Sequence, residues 1–235
     1  REKYDDRPIV ITTWQSIYKL ERSWFEKFEV VIGDEAHLFK SKSLIQIMTK
    51  LHHAKYRFGF TGTLDGTQTH KWVLEGVFGP SYKVTRTDEL MKQGHLSDLD
   101  IQCLVLKHEP QKFETYNDEI EYLISHEQRN KFITNLTLDL KGNTLVLFAR
   151  VEAHGEILYN QINNNKRDNR KVFFVHGGVD AEEREVVREI TERENNAIIV
   201  ASYGTFSTGI NIKNLHNVIF ASPSKSRVRN LQSIG

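Results

Sequence analysis

Cysteine is nearly absent, and so are long apolar runs. The only cysteine among the 235 residues is Cys103, which excludes an internal disulfide and favours a reducing compartment. No run of 18 or more apolar residues occurs, so the sequence offers no transmembrane helix, and we find no signal peptide. We therefore predict a cytoplasmic protein without membrane contact.

A strong net charge is also missing. The sequence has 32 basic and 31 acidic side chains, for a formal net charge of +1. This balance gives the whole surface no general attraction to nucleic acid or to a membrane. Any nucleic-acid site must therefore be a local groove rather than an all-over basic surface. The length is sufficient for two domains of roughly 100–150 residues each.

Short apolar runs alternate along the chain with longer amphipathic stretches. The runs are rich in β-branched and aromatic residues and mostly continuous, which is typical of strands covered by helices on both faces. Between them, residues 180–194 predict a helix, because Asp180 can cap its first turn and Glu183 lies three residues on. The pattern predicts an α/β fold with mostly parallel sheets. The runs are residues 9–11, 30–32, 56–60, 145–148, 172–175, 198–200 and 218–220.

The alternation is interrupted between about residues 80 and 139, where the sequence is polar and contains Gly79-Pro80, Gly94 and Pro110. We therefore predict two α/β domains, residues 1–98 and 111–235, joined by a connecting region at 99–110. Residues 109–139 are expected to be largely helical and to belong to the second domain.

Two adjacent carboxylates, Asp34 and Glu35, follow the apolar run at 30–32. In open parallel sheets, ligands bind beyond the carboxyl ends of the strands. A pair of acids there suits phosphoryl transfer: Asp34 would hold Mg²⁺ through its water shell, and Glu35 would deprotonate the attacking water. His37 can hydrogen-bond across the same cleft. The alternative is a plain turn in which the acids cap a following helix.

The segment Asp34-Glu35-Ala36-His37 resembles the second signature motif of the superfamily 2 helicases. Further segments resemble other motifs of that family in the family's order: residues 11–16, 59–64, 145–150, 174–178, 199–212 and 232–235. The resemblance implies two RecA-like domains, each a mostly parallel sheet flanked by helices, with ATP and Mg²⁺ as cofactors. It implies an ATP-dependent, monomeric helicase or translocase, with DNA favoured over RNA and held mainly through its backbone. Remodelling of branched DNA or R-loops in recombination, repair and replication is the expected role.

The resemblance also implies roles for individual residues. Nucleotide contacts are expected at Gly209, Asn211 and Gln232, although many members have Asp at the position of Asn211. Thr61 and Thr63 would couple the ATP state to domain movement. Nucleic-acid contacts are expected at Thr12, Thr13, Arg150, Gly177, Thr205 and Ser207.

Two parts of the family pattern are absent from the sequence. It contains no Gly-x-x-x-x-Gly-Lys-Ser/Thr loop, which cradles the phosphates of ATP, and its sixth motif stops at Gly235 before the expected arginines. We expect that loop upstream of residue 1 in a longer protein, and we expect these 235 residues alone not to hydrolyse ATP at a useful rate.

Three other functions remain open from the residues. These are a non-catalytic nucleic-acid clamp on the same fold, the motor subunit of a restriction enzyme, and an RNA helicase, because backbone contacts are similar on DNA and RNA. His52, His53 and Cys103 do not have the spacing of a zinc site, so none is predicted.

Overall fold

The computed structural model describes residues 7–62, 64, 66–167, 169–206, 212–226 and 230. The chain divides into two compact units, Arg1–Asp98 and Leu99–Gly235. Within the described residues, no helix is both long and apolar enough to cross a membrane. The connecting region that we predict at 99–110 contains no helix or strand, and the domain boundaries themselves stay a prediction.

The first unit contains a two-stranded parallel sheet and short helices. The strands pair in register from Val30 opposite Tyr56 to Gly33 opposite Gly59. Its elements are α1 (Trp14–Ile17), α2 (Arg22–Phe25), β1 (Val30–Gly33), a 3-10 helix (Ala36–Lys40), α3 (Lys42–Lys50), β2 (Tyr56–Gly59), α4 (Gln68–Phe78) and α5 (Thr87–Lys92).

One face of this small sheet is packed and the other is exposed. Val31 packs against a core that includes Phe25, Phe39 and Met48. On the opposite face, Ile32 is 66% exposed and Tyr56 is 57% exposed. The prediction of strands covered on both faces is therefore wrong for β1 and β2 among the described residues. Successive side chains of a strand point to opposite faces, and a run of three apolar residues does not reveal which face is covered.

The predicted strand at residues 9–11 is also wrong. These residues form no strand in the structure, and Ile9 and Ile11 are 77% and 96% exposed. Within the described part of the chain no neighbouring strand accepts this segment, so β-branched composition alone does not fix it as a strand.

The second unit contains a four-stranded parallel sheet in the order β4-β5-β3-β6. The predicted α/β class with parallel sheets and flanking helices is confirmed. The helical segment predicted at 109–139 begins only at Tyr116, where the Thr115 side chain caps the first turn. The elements are α6 (Tyr116–Ser125), α7 (Glu127–Asp139), β3 (Thr144–Phe148), a π-helix (Val151–Gly155), α8 (Glu156–Asn165), β4 (Val172–Val175), α9 (Ala181–Arg193), β5 (Ile198–Ser202), α10 (Tyr203–Phe206) and β6 (Asn217–Phe220).

Both faces of the inner strands β3 and β5 are buried, as their continuous apolar runs predict. Val146 and Ile198 pack with Leu158 of α8 on one side of the sheet. Leu145 and Ile199 pack on the other side, where Val187 of α9 joins them. The predicted cap of α9 is confirmed as well, because the backbone N–H of Glu183 donates to Oδ1 of Asp180 at 2.8 Å.

Candidate functional site

A tight turn after β1 holds the two adjacent carboxylates. Backbone hydrogen bonds continue past the paired strands, from Phe60 N to Gly33 O (2.9 Å) and from Ala36 N to Phe60 O (2.8 Å). Glu35 lies between them in the left-handed region, with φ 48° and ψ 50°, and no other non-glycine residue in the described parts of the chain has a positive φ. Such a conformation costs of order 1 kcal/mol or more and is concentrated at functional sites.

A pair of glycines gives this turn its support. A Cβ atom on Gly33 would lie 2.7 Å from Cζ of Phe39, and one on Gly59 would lie 2.9 Å from Cδ2 of Phe78. The two phenylalanine rings pack edge to face at 4.9 Å between centroids. The absence of side chains at Gly33 and Gly59 therefore leaves room for the two rings to pack against the strand ends next to the acidic turn. This packing holds the backbone of the turn in place.

One nitrogen of His37 joins the candidate base to the end of the neighbouring strand. His37 Nδ1 lies 3.1 Å from Oε2 of Glu35 and 2.9 Å from Oγ1 of Thr61. A proton on Nδ1 would let this nitrogen donate to either oxygen, because an ionised carboxylate and a hydroxyl oxygen both accept. The His37 side chain is 11% exposed, whereas the Glu35 side chain is 48% exposed. The Glu35 carboxylate is therefore open to solvent, and its contact with the buried His37 ring restricts its orientation.

Asp34 differs from Glu35 in its contacts. Its Oδ1 accepts a hydrogen bond from the backbone N–H of Glu35 at 2.8 Å, and the residue is exposed. An exposed carboxylate in this position offers oxygen ligands, which Mg²⁺ prefers. Of the residues that we predict for catalysis and coupling, the structure brings together Asp34, Glu35, His37 and Thr61.

In the second unit, Arg150 is bound to α6. Its guanidinium donates to Oε1 of Glu121 at 3.1 Å and to Oδ1 of Asn117. Arg150 follows β3 and immediately precedes the π-helix, a rare geometry that is frequent at functional sites. No pattern in the sequence indicates the two α6 partners, which lie about thirty positions away.

The second unit also contains a buried polar network that no sequence pattern indicates. His154 is fully buried; its Nε2 donates to Oδ1 of Asn130 (3.1 Å) and its Nδ1 accepts from Oγ of Ser222 (2.8 Å). Burial, and then the nearby charge of Arg129, lower the pKa of His154 to about 4. The ring is therefore neutral at neutral pH, which matches its one donor and one acceptor role. The network ties the π-helix to α7 and to the segment after β6.

The remaining predicted nucleic-acid residues have different surroundings. Thr12 and Thr13 are exposed before α1, and Gly177 is exposed in the turn after β4. Thr205 is 5% exposed, and its Oγ1 pairs with Oγ of Ser202 at 2.8 Å, so its hydroxyl does not face solvent. The predicted residues Thr63, Ser207, Gly209, Asn211 and Gln232 lie outside the described residues.

Two family models match the chain. The family "Type III restriction enzyme, res subunit" matches residues 1–66, and "Helicase conserved C-terminal domain" matches residues 127–235. The ATP-dependent DNA helicase UvsW of Enterobacteria phage T4 is 36% identical over 244 residues, covering 100% of this chain and 48% of the phage protein. Both matched parts of the chain are similar to superfamily 2 helicases. The family resemblance of its ordered motifs is thereby confirmed.

The chain is also similar to a second viral protein and to a solved structure. A putative ATP-dependent RNA helicase of Acanthamoeba polyphaga mimivirus is 24% identical over 230 residues, covering 93% of this chain and 43% of that protein. The crystal structure of T4 UvsW is 33% identical, with a TM-score of 0.46, and the match covers 98% of this chain and 46% of that one. The chain thus spans about half the length of the relatives it matches.

Proposed function

We propose that this chain supplies the hydrolytic carboxylates and the second motor domain of an ATP-driven DNA helicase or translocase. The observation that carries the proposal is the contact of His37 Nδ1 with both Glu35 and Thr61. A turn that only caps a helix does not require a buried imidazole between its carboxylate and the end of β2, where Thr61 lies. The match to a DNA helicase over the whole chain supports the same function.

The carboxylates divide the work in this proposal. Glu35 orients the attacking water and takes its proton, because its carboxylate is exposed and held by His37. Asp34 would hold Mg²⁺ through water, and its exposed oxygens fit that hard cation. Mg²⁺ held there together with ATP would supply positive charge to offset the negative charge on the phosphates. Gly209, Asn211 and Gln232 would contact the nucleotide.

Nucleic acid is proposed to bind through its backbone. Thr12, Thr13, Gly177 and Ser207 would donate hydrogen bonds to phosphate oxygens from hydroxyl or backbone N–H groups. Thr205 would contribute its backbone rather than its buried hydroxyl. Arg150 would exchange Glu121 for a phosphate. That exchange is cheap because a partly exposed ion pair contributes only about 0–1 kcal/mol.

We also propose a nucleic-acid substrate and a cellular location for the full-length protein. The name of the phage relative favours DNA, and branched DNA or R-loops in recombination, repair and replication are the structures we propose to be remodelled. The mimivirus relative is named as a putative RNA helicase, so RNA is the competing substrate. We propose that the full-length protein acts as a monomer in the cytoplasm.

Replacing Thr61 with valine tests the coupling. Valine keeps the shape but removes the oxygen near His37, and a hydrogen bond of this kind contributes about 0.5–1.5 kcal/mol, up to about tenfold. In the full-length protein, we expect ATP hydrolysis to stay within about threefold, while DNA strands separated per ATP fall by about tenfold.

Thr61→Ser is the matched control, because it restores the hydroxyl and should restore the coupling. An RNA duplex assayed in parallel shows which nucleic acid is unwound. If Thr61→Val leaves strands separated per ATP unchanged, Thr61 is not a coupling residue.

A further inference from the structure

Glu26 and the adjacent pair His52-His53, which is remote from it in sequence, meet on the surface of the first unit. A carboxylate oxygen of Glu26 and one ring nitrogen each of His52 and His53 all lie within 4.8 Å of one another. The two imidazole rings meet edge to face with centroids 4.0 Å apart. We propose that these residues form a binding site for a divalent transition metal, with Zn²⁺ as the fitting ion. The proposal is independent of the ATP chemistry.

The ligand set matches the chemistry of zinc. Two imidazole nitrogens and one carboxylate oxygen are the donors of open zinc sites, in which water takes the fourth position. Tetrahedral ligands about 2.0–2.1 Å from zinc lie about 3.3 Å apart. All three side chains are exposed, so small rotations bring them from their present separations to that distance.

The backbone beneath the histidines is already fixed. His52 and His53 are the central residues of a turn that Ala54 N closes by donating to Leu51 O at 3.1 Å. Arg57 donates to the carbonyls on both sides of the pair, Leu51 O at 2.8 Å and Ala54 O at 3.4 Å. The turn is therefore held in place while its two imidazoles remain at the surface.

The backbone at Glu26 is held in place by its buried neighbour. It follows Phe25, which is fully buried in the same core as Leu51 and Ala54. Within the described residues, neither the Glu26 carboxylate nor the His53 ring has a hydrogen-bond or ion-pair partner. A metal ion would therefore bind them without breaking an existing contact, and would link the end of α2 to the turn between α3 and β2.

Arg22 competes with the proposed metal. Its Nε donates to Nδ1 of His52 at 3.3 Å. That bond uses the lone pair of Nδ1 and favours the tautomer with the proton on Nε2, so neither nitrogen is free. If Nδ1 donates instead to Lys50 O, which lies 3.2 Å away, Nε2 becomes available to the metal. Removing the Arg22 side chain should therefore strengthen metal binding.

Zinc titration of the untagged 235-residue chain by calorimetry tests the site. We expect one Zn²⁺ per chain, bound about tenfold or more weakly in His53→Ala and in the isosteric Glu26→Gln variant. Arg22→Ala should bind Zn²⁺ more tightly, and His95→Ala, an exposed control in the same unit, should bind it as the wild type does.

Thermal unfolding supplies a second measurement. Zn²⁺ should raise the unfolding midpoint of the wild type and not that of His53→Ala, because ligands that bind only the folded state stabilise it. Circular dichroism confirms that the variants are folded. The proposal is overturned if Zn²⁺ does not bind, or if it binds equally to the wild type, His53→Ala and Glu26→Gln.

Discussion

Replacing Glu35 with glutamine is expected to slow ATP hydrolysis by the full-length protein about 10²–10⁴-fold, the usual contribution of a general base. Glutamine has nearly the shape of glutamate, and its amide oxygen can still accept from His37 Nδ1, so the turn after β1 should persist. An amide does not take a proton from water at neutral pH. ATP binding should therefore survive while turnover is lost, as measured by nucleotide affinity and steady-state hydrolysis.

Glu29→Gln is the matched control, because it removes an exposed carboxylate immediately before β1. Its turnover should equal that of the wild type. Near-normal hydrolysis by Glu35→Gln would remove Glu35 from the role of base and revive the interpretation of the acidic turn as a cap.

Replacing Asn143 with aspartate is expected to destabilise the second unit severely. The side chain is fully buried, and its Nδ2 lies 2.9 Å from Thr191 O and 2.7 Å from both Glu194 O and Asn214 O. Its Oδ1 accepts from Ala197 N at 2.8 Å. Aspartate would turn a carboxylate oxygen towards three carbonyls. Each buried group left unsatisfied costs about 1–3 kcal/mol, so we expect a loss of about 4 kcal/mol or more, a large share of ordinary domain stability.

Hydrogen exchange of the β3 and β5 amides in the 235-residue chain measures this loss within the second unit itself. Asn164→Asp, an exposed change of the same chemistry, should alter protection little. A loss under about 1 kcal/mol in Asn143→Asp would show that the buried amide does not organise these connections.

The features that the sequence predicts correctly depend on residues that are adjacent or only a few positions apart. The runs that became β3 and β5 are apolar throughout, and they are buried on both faces because these two strands lie inside the four-stranded sheet. The equally apolar run of β1 is exposed on one face. The cap of α9 depends on Asp180 and Glu183, only three residues apart. The adjacent carboxylates were likewise visible because the motif is contiguous.

Long-range contacts set the limit of sequence prediction. The residues next to Arg150 in sequence do not indicate that it binds α6. Packing buries the hydroxyl of Thr205, although its motif predicts a contact with nucleic acid. Glu26 precedes His52 by 26 residues, so the spacing does not match a zinc motif although the side chains meet. Each of these depends on the approach of distant segments.

The most direct test of the central claim is the rate of ATP hydrolysis by the full-length protein with and without DNA. We expect hydrolysis that DNA stimulates and that Glu35→Gln abolishes. Tight DNA binding without hydrolysis, at saturating ATP and Mg²⁺, would contradict the proposed motor function and identify a non-catalytic clamp on a helicase fold.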